Sequence, residues 1–253
     1  MKIWINADDF GWTESSSKAI IEAFKNHWLT TTTVCVNGLY FNEAISSIRN
    51  TYIENCIGIH FNLTEGIPIT EEIKANPRFC KEGKFISFPS RLKELSKYDK
   101  IDIYRELTAQ AECFKSTLLP CNHVDSHNHI HNAVHIFPIF MRVICEQGWD
   151  KLRLFRNYGK MSFLKKIAKY YYNSKIINKG YAYSDLFGSA QDYNECNNTS
   201  NVIFEIMVHP DFHNKTRILI DRDCMSKYES PFGQPLSNLI KRIESRQDKI
   251  IFL

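Results

Sequence analysis

Short apolar runs that end in polar or charged residues recur along the chain. Lys2–Asn6 leads into Asp8-Asp9-Phe10-Gly11, β-branched Thr31–Val36 ends at Asn37-Gly38, and Ile57–Asn62 carries His60. His123–His127, Leu152–Phe155 (followed by Arg156), Val202–Val208 (followed by His209-Pro210) and Lys249–Leu253 continue the series. Each is short enough for a strand. Between them lie stretches with helical spacing. Thr13 is placed to cap a helix whose apolar face is Ala19, Ile20, Ala23, Phe24 and Trp28. Asp102–Leu118, Ala133–Gln147 with Gly148 as its cap, and Pro235–Glu244 read as further helices.

Strand–helix alternation over 253 residues points to an α/β fold on a parallel sheet, closed or open, in one domain spanning 1–253. The polar residues fall consistently. Asp8, Asp9, Asn37, Arg156 and His209 sit at or just after strand C-terminal ends, and His60 and His127 lie on the same side. Barrels and open α/β sheets build their sites there. Residues 66–100 and 185–200 read as long loops over the site.

Four of the nine histidines fall between His123 and His131, with Asp125 among them. In an extended chain Asp125, His127, His129 and His131 would share one face. Such a cluster calls for protons, a metal or an anionic ligand. One ion does not take all four, and His123 and His131 read better as supporting or surface residues. Asp8-Asp9 alone reads as a solvated pair or a cap. Beside distant histidines, it suggests one carboxylate on a cation and the other free to take a proton from water activated by that cation. His60 lies among apolar residues and, taken alone, reads more readily as a hydrogen-bonded core histidine than as a ligand. His209 is either a proton donor to a leaving group or a structural strand-end residue.

The net charge of +4 is mild, and no nucleic-acid partner is expected. From Lys151 to Lys179, however, there are nine basic residues and no acidic one. Within it, Met161, Leu164, Ile167, Ala168 and Tyr171 form one helical face opposite Lys165 and Lys169. That face either packs on the sheet or makes peripheral contact with a membrane. Eight scattered cysteines without a CxxC pair read as reduced thiols of a cytoplasmic protein. The first nine residues reach charge too early for a signal peptide, and no apolar run is long enough to span a bilayer. Serine-hydrolase elbow, phosphate-loop, dinucleotide-binding and HExxH patterns are absent from the sequence.

Four strings, Asn6-Ala-Asp-Asp-Phe-Gly11, Gly58-Ile-His-Phe-Asn-Leu-Thr-Glu-Gly66, His123-Val-Asp-Ser-His-Asn-His-Ile-His131 and Glu205-Ile-Met-Val-His-Pro-Asp211, resemble the signature blocks of the YdjC-like carbohydrate deacetylases, in order and across nearly the whole chain. The resemblance implies a distorted (β/α) TIM-like barrel and metal-dependent removal of acetyl groups from N-acetylated sugars. It assigns Asp9, His60 and His127 as metal ligands, Asp8 as general base and His209 as candidate general acid. Asp125, His129, Asn37 and Arg156 are supporting or substrate-binding candidates. Two imidazoles favour zinc, cobalt, nickel or manganese over magnesium, without excluding the last. A two-metal phosphoesterase and a non-catalytic sugar-binding relative are the competing readings. A homodimer is expected from the frequency of twofold assemblies.

Overall fold

The computed structural model describes residues 1–87, 94–197, 201–223 and 233–252. Strand β1 (Lys2–Phe10) is followed by α1 (Glu14–Lys25), β2 (Thr31–Val34), α2 (Phe41–Ile48) and β3 (Ile57–Phe61). Next come α3 (Glu71–Ala75), the hairpin β4 (Cys80–Lys81) and β5 (Lys84–Phe85), α4 (Lys97–Ser116), β6 (Val124–Ser126), α5 (Phe137–Gln147) and α6 (Phe163–Asn178). The remainder is β7 (Leu186–Ser189), α7 (Ala190–Asn194), β8 (Ile203–Val208), β9 (Pro210–Phe212), β10 (Leu219–Asp221), β11 (Gln234–Pro235), α8 (Leu236–Ser245) and β12 (Lys249–Ile250).

The main sheet is parallel, in the order β6-β3-β2-β1-β8-β7, with β12 also on β1. It curls into an incomplete barrel. Between the edge strands β6 and β7, Leu152 makes single parallel bridges to Val124 and Ala182, so among the described residues no continuous ladder closes the wall. The expected α/β fold of distorted-barrel type thus takes the form of a curled parallel half-barrel with a thin seam, because Leu152–Phe155 pairs through Leu152 alone. Its central strands are buried on both faces, which explains their unbroken apolar runs.

The helices carry the caps that their sequences imply. Thr13 accepts a hydrogen bond from the Ser16 amide, Gly148 closes α5 at φ 73°, and Pro235 immediately precedes α8. α4 begins at Lys97, earlier than its apolar spacing suggests, because Ser96 and Asp99 form a reciprocal cap. The supposed loop 66–100 contains α3 and the β4–β5 hairpin, while its residues 88–93 lie outside the described residues. The supposed loop 185–200 contains β7 and α7, and residues 198–200 are outside. β7 is not announced in the sequence, because Phe-Gly-Ser offers too little periodicity for a strand. At the chain's end only Lys249–Ile250 pairs, and Leu253 is outside the described residues.

Gly58 has a specific task. A Cβ there would collide with the carbonyl oxygen of His123, so only glycine lets β3 lie close to the start of β6. That contact sets His60 opposite Asp125 in the parallel register.

Candidate metal centre

β1 runs through Asp8 and Asp9 rather than ending before them. Consecutive side chains in a regular strand point to opposite faces, yet both carboxylates line one cavity of about 360 Å³. A register shift against β2 between Ala7 and Phe10, with Asp9 at φ 66°, re-aims them. The left-handed backbone of a non-glycine residue costs about 1 kcal/mol or more, held here by the surrounding strands.

Asp9 is the hub. Its Oδ1 lies 2.8 Å from His127 Nδ1 and 3.4 Å from His60 Nε2, and its Oδ2 accepts a 3.0 Å hydrogen bond from Arg222. Cys35 Sγ completes a buried set in which the donor atoms of Asp9, Cys35, His60 and His127 all lie within 4.8 Å of one another. These donors fit a divalent cation: carboxylate, imidazoles and thiol are the donors that zinc and its neighbours take. His60 has the supporting bond such ligands usually carry, since its Nδ1 is 2.6 Å from Asp125 Oδ1 and 3.2 Å from the Thr33 hydroxyl. Trp12 stacks on the His127 ring, with centroids 5.4 Å apart.

Asp8 is held from the other side. Arg153, completely buried, donates to both of its oxygens at 2.7 Å, and Asn6 Nδ2 donates to Oδ1 at 2.8 Å. The same guanidinium reaches Asp125 Oδ2 at 2.7 Å and Glu205 Oε1 at 2.6 Å. Burial pushes the Asp8 carboxyl up, but Arg153 more than offsets it and holds the group well below the usual range. Asp9 is also lowered, burial being outweighed by the His127 and His60 contacts.

His60 behaves in the opposite sense. Burial disfavours its charge, but Asp125, Asp9 and Asp8 together push it up to about 10. Asp8, Asp9, Asp125 and Glu205 face the two guanidinium groups of Arg153 and Arg222. Four carboxylates against two cations leave the ionised cluster two positive charges short. The proton on His60 meets part of that shortfall, and a divalent cation would meet all of it.

The histidine stretch is not an extended strand. β6 ends at Ser126, and His127–Asn132 forms 3-10 turns with Asn128 at φ 50° and His129 at φ 52°. The one-face expectation for Asp125, His127, His129 and His131 therefore fails, because the turn begins at His127. It still places His127, Asn128 and His129 on the cavity wall. Burial pushes His129 and His123 down to about 4, so both are neutral at physiological pH. His131 Nδ1 meets the Ser126 hydroxyl at 2.5 Å, and its ring packs on Phe140 and Phe155. His123 and His131 are both buried rather than at the surface, and neither lines the cavity.

His209 follows β8 and lines the cavity. Its backbone N–H donates to Asp221 Oδ1 at 2.9 Å, and Nδ1 lies 3.3 Å from Asp223 Oδ2. Three candidates are not brought to the cavity wall: Asp125 stands behind it, bonded to His60 and Arg153, and Asn37 and Arg156 lie elsewhere. Asn37 donates to the Ile67 carbonyl and accepts from Asn62, tying down the loop after β3. Arg156 donates to both oxygens of Asp192, at 2.7 and 2.5 Å, an ion pair against α7.

Sequence reasoning missed Arg153, Glu65, Arg222 and the setting of Cys35. Arg153 and Glu205 each interrupt an apolar run, which was the available signal: a charge inside a buried strand needs its opposite nearby. Cys35 sits in a run of threonines and valines whose inward direction depends on register, so nothing in the sequence distinguished it. Met161, Leu164, Ile167, Ala168 and Tyr171 do not pack on the sheet; α6 turns Tyr172, Asn173 and Ile176 inward instead.

Fold and site together define an α/β protein that gathers carboxylates and imidazoles at the C-terminal edge of a curled parallel sheet. The model of the YdjC-like protein family matches residues 2–238, and the chain belongs to that family. It is 37% identical over 131 residues to a carbohydrate deacetylase of Oceanobacillus iheyensis, covering 52% of this chain and 55% of that one. A carbohydrate deacetylase of Geobacillus stearothermophilus is 36% identical over 135 residues, 53% of this chain and 52% of its own. The match spans only about half the length of these two relatives. A chitooligosaccharide deacetylase of Escherichia fergusonii is 30% identical over 220 residues, 84% of this chain and 82% of its own. In fold, the chain is similar to a crystal structure of an Enterococcus faecalis V583 protein provisionally assigned to cellobiose-phosphate cleavage. That likeness has a TM-score of 0.71 and 24% identity and covers 99% and 97% of the two chains.

Proposed function

We propose that the protein is a metal-dependent deacetylase that hydrolyses the acetamide of an N-acetylated sugar, releasing acetate and a free amine. The observation that carries the reading is the convergence of Asp8, Asp9, His60, His127 and His209 on one cavity in a chain of the YdjC-like family.

Asp9, His60 and His127 would hold a divalent cation, with Cys35 within reach. When bound, the cation supplies Lewis-acid polarisation of a carbonyl and a lower pKa for water. The remaining work falls to the chain. Asp8 is held well below the usual carboxylate range and oriented by Arg153, so at neutral pH it is free to accept a proton from the attacking water. Its intrinsic basicity is low, which makes it suited to water already acidified and unsuited to ordinary water. His209, which follows the neighbouring strand β8 and is backed by Asp223, donates a proton to the departing amine. Neutral His129 and half-exposed Glu65 also line the cavity.

The two-metal phosphoesterase reading is less well supported. Asp8, His60 and Asp125 could form a second donor set, but Arg153 already bonds both carboxylates and occupies the cationic place. The seven described cysteines are free, in accord with a reducing compartment such as the cytoplasm. Among the described residues no helix is long and apolar enough to cross a membrane. Acetate release across free, nucleotide-linked and lipid-linked N-acetyl sugars, with and without chelator, tests the proposal. Chelator-sensitive release from at least one supports it, and none from any member by metal-loaded protein overturns it.

A further inference from the structure

α6 buries one face and leaves an apolar one in solvent. Tyr172 stacks on Phe155 and meets Phe137 edge-on, while Asn173 and Ile176 are buried beside them. On the outward side Phe163, Leu164, Ile167, Tyr170, Tyr171 and Ile177 are all more than half exposed, Leu164 and Tyr170 at 78%. Their spacing places them on a single stripe of the helix. Lys166 borders that stripe on one side and Lys175 on the other, the latter reaching over the Tyr171 ring at 4.4 Å. None of Lys165, Lys166, Lys169, Lys175 and Lys179 forms an ion pair among the described residues.

We propose that α6 is a docking element for an anionic lipid surface. Aliphatic and aromatic side chains flanked by lysines suit the boundary between acyl chains and headgroups, where the rings sit and the ammonium groups reach outward. Charge decides between this occupant and a second copy of the chain. No acidic residue occurs from 151 to 184, so a twofold contact through α6 would set lysines against lysines. Anionic headgroups complement the same surface.

The orientation is suited to the site. Leu152, where the seam strand begins, hydrogen-bonds the Tyr181 carbonyl just beyond the end of α6. The helix therefore runs back along that strand, and Phe163 and Leu164 lie toward the sheet edge that carries the cavity.

Flotation of the full chain with vesicles tests this. Phosphatidylcholine vesicles containing about 30% phosphatidylglycerol should carry at least about tenfold more protein than phosphatidylcholine alone, less so as salt is raised. Leu164→Ser with Ile167→Ser, and separately Lys166→Glu with Lys175→Glu, should each lower that fraction about tenfold without changing thermal stability or metal content. Asp8→Asn should float like the parent, so the result does not depend on the deacetylase reading. No flotation with anionic vesicles, or equal flotation of the parent and both double variants, overturns the proposal. So does a concentration-dependent dimer that Leu164→Ser with Ile167→Ser abolishes, since it would put a second copy on this face.

Discussion

The guanidinium of Arg153 grips the Asp8 carboxylate with two parallel hydrogen bonds of 2.7 Å, both partners being buried. Such a fork fixes the plane of the carboxylate as well as its charge. Arg153→Lys keeps a cation but loses the fork, so Asp8 should rotate. Turnover should fall by about a hundredfold, with a smaller change in metal content. Arg153→Met leaves Asp8, Asp125 and Glu205 without their shared cation and should cost about 3–5 kcal/mol of stability. Acetate release and denaturant melts of the two variants check the pair. Arg153→Lys turning over like the parent would remove the orienting role.

Metal occupancy should separate the two adjacent carboxylates. Asp9 touches both imidazoles, whereas Asp8 touches Arg153 and Asn6. Asp9→Asn and His127→Ala should lose the bound ion, while Asp8→Asn should keep it and lose turnover, by about a hundredfold or more for a general base. Elemental analysis after dialysis, paired with acetate release, reads both. Loss of metal from Asp8→Asn would move Asp8 into the ligand set.

The strings around Asp8, His60, His127 and His209 were legible because each is a polar residue at the end of an apolar run. Their convergence was expected from the α/β alternation. What could not be read was direction. The bulge that turns Asp8 and Asp9 to one side depends on pairing with β2, a contact between segments about 25 residues apart. The choice of Arg156 over Arg153 as a site candidate failed for a related reason. Neighbouring strand residues face opposite ways, and only the register with β6 decides which one points inward. Cys35 illustrates the same limit, and α6 shows another. Its apolar spacing was clear, but a helical pattern does not say whether the stripe meets protein or solvent.

Cys35 supplies a distinct spectroscopic prediction. Its thiol is buried beside Asp9, His60 and His127. A soft sulfur donor favours zinc or cobalt over magnesium. Cobalt-loaded protein should therefore show the near-ultraviolet charge-transfer absorption of a thiolate–cobalt bond, and Cys35→Ser should abolish it. The variant should also lose about tenfold or more of its preference for zinc over magnesium. A cobalt spectrum unchanged by the substitution would place the thiol outside the coordination shell.

His123 should make the metal-free protein sensitive to mild acid. The imidazole is buried, both ring nitrogens lack a hydrogen-bond partner among the described residues, and burial lowers it from 6.5 to about 4. Between those values the unfolded chain binds a proton that the folded chain refuses. The contribution is therefore complete above about pH 6.5 and is lost as pH falls towards 4, by about 3 kcal/mol at most. His131, lowered in the same direction by burial, adds to the slope. The depressed Asp8 and Asp9 act below this window, because their stabilisation is lost only as pH falls under the ordinary carboxylate range. Raised His60 acts above it, favouring the fold below 6.5 and losing that effect as pH rises towards 10. Urea melts of metal-free protein from pH 7.5 to 4.5 should thus show stability falling through the window, with a shallower fall in His123→Leu. That substitution keeps an apolar side chain against Tyr183 and removes the titrating group. An equal slope in parent and variant would assign the acid sensitivity elsewhere.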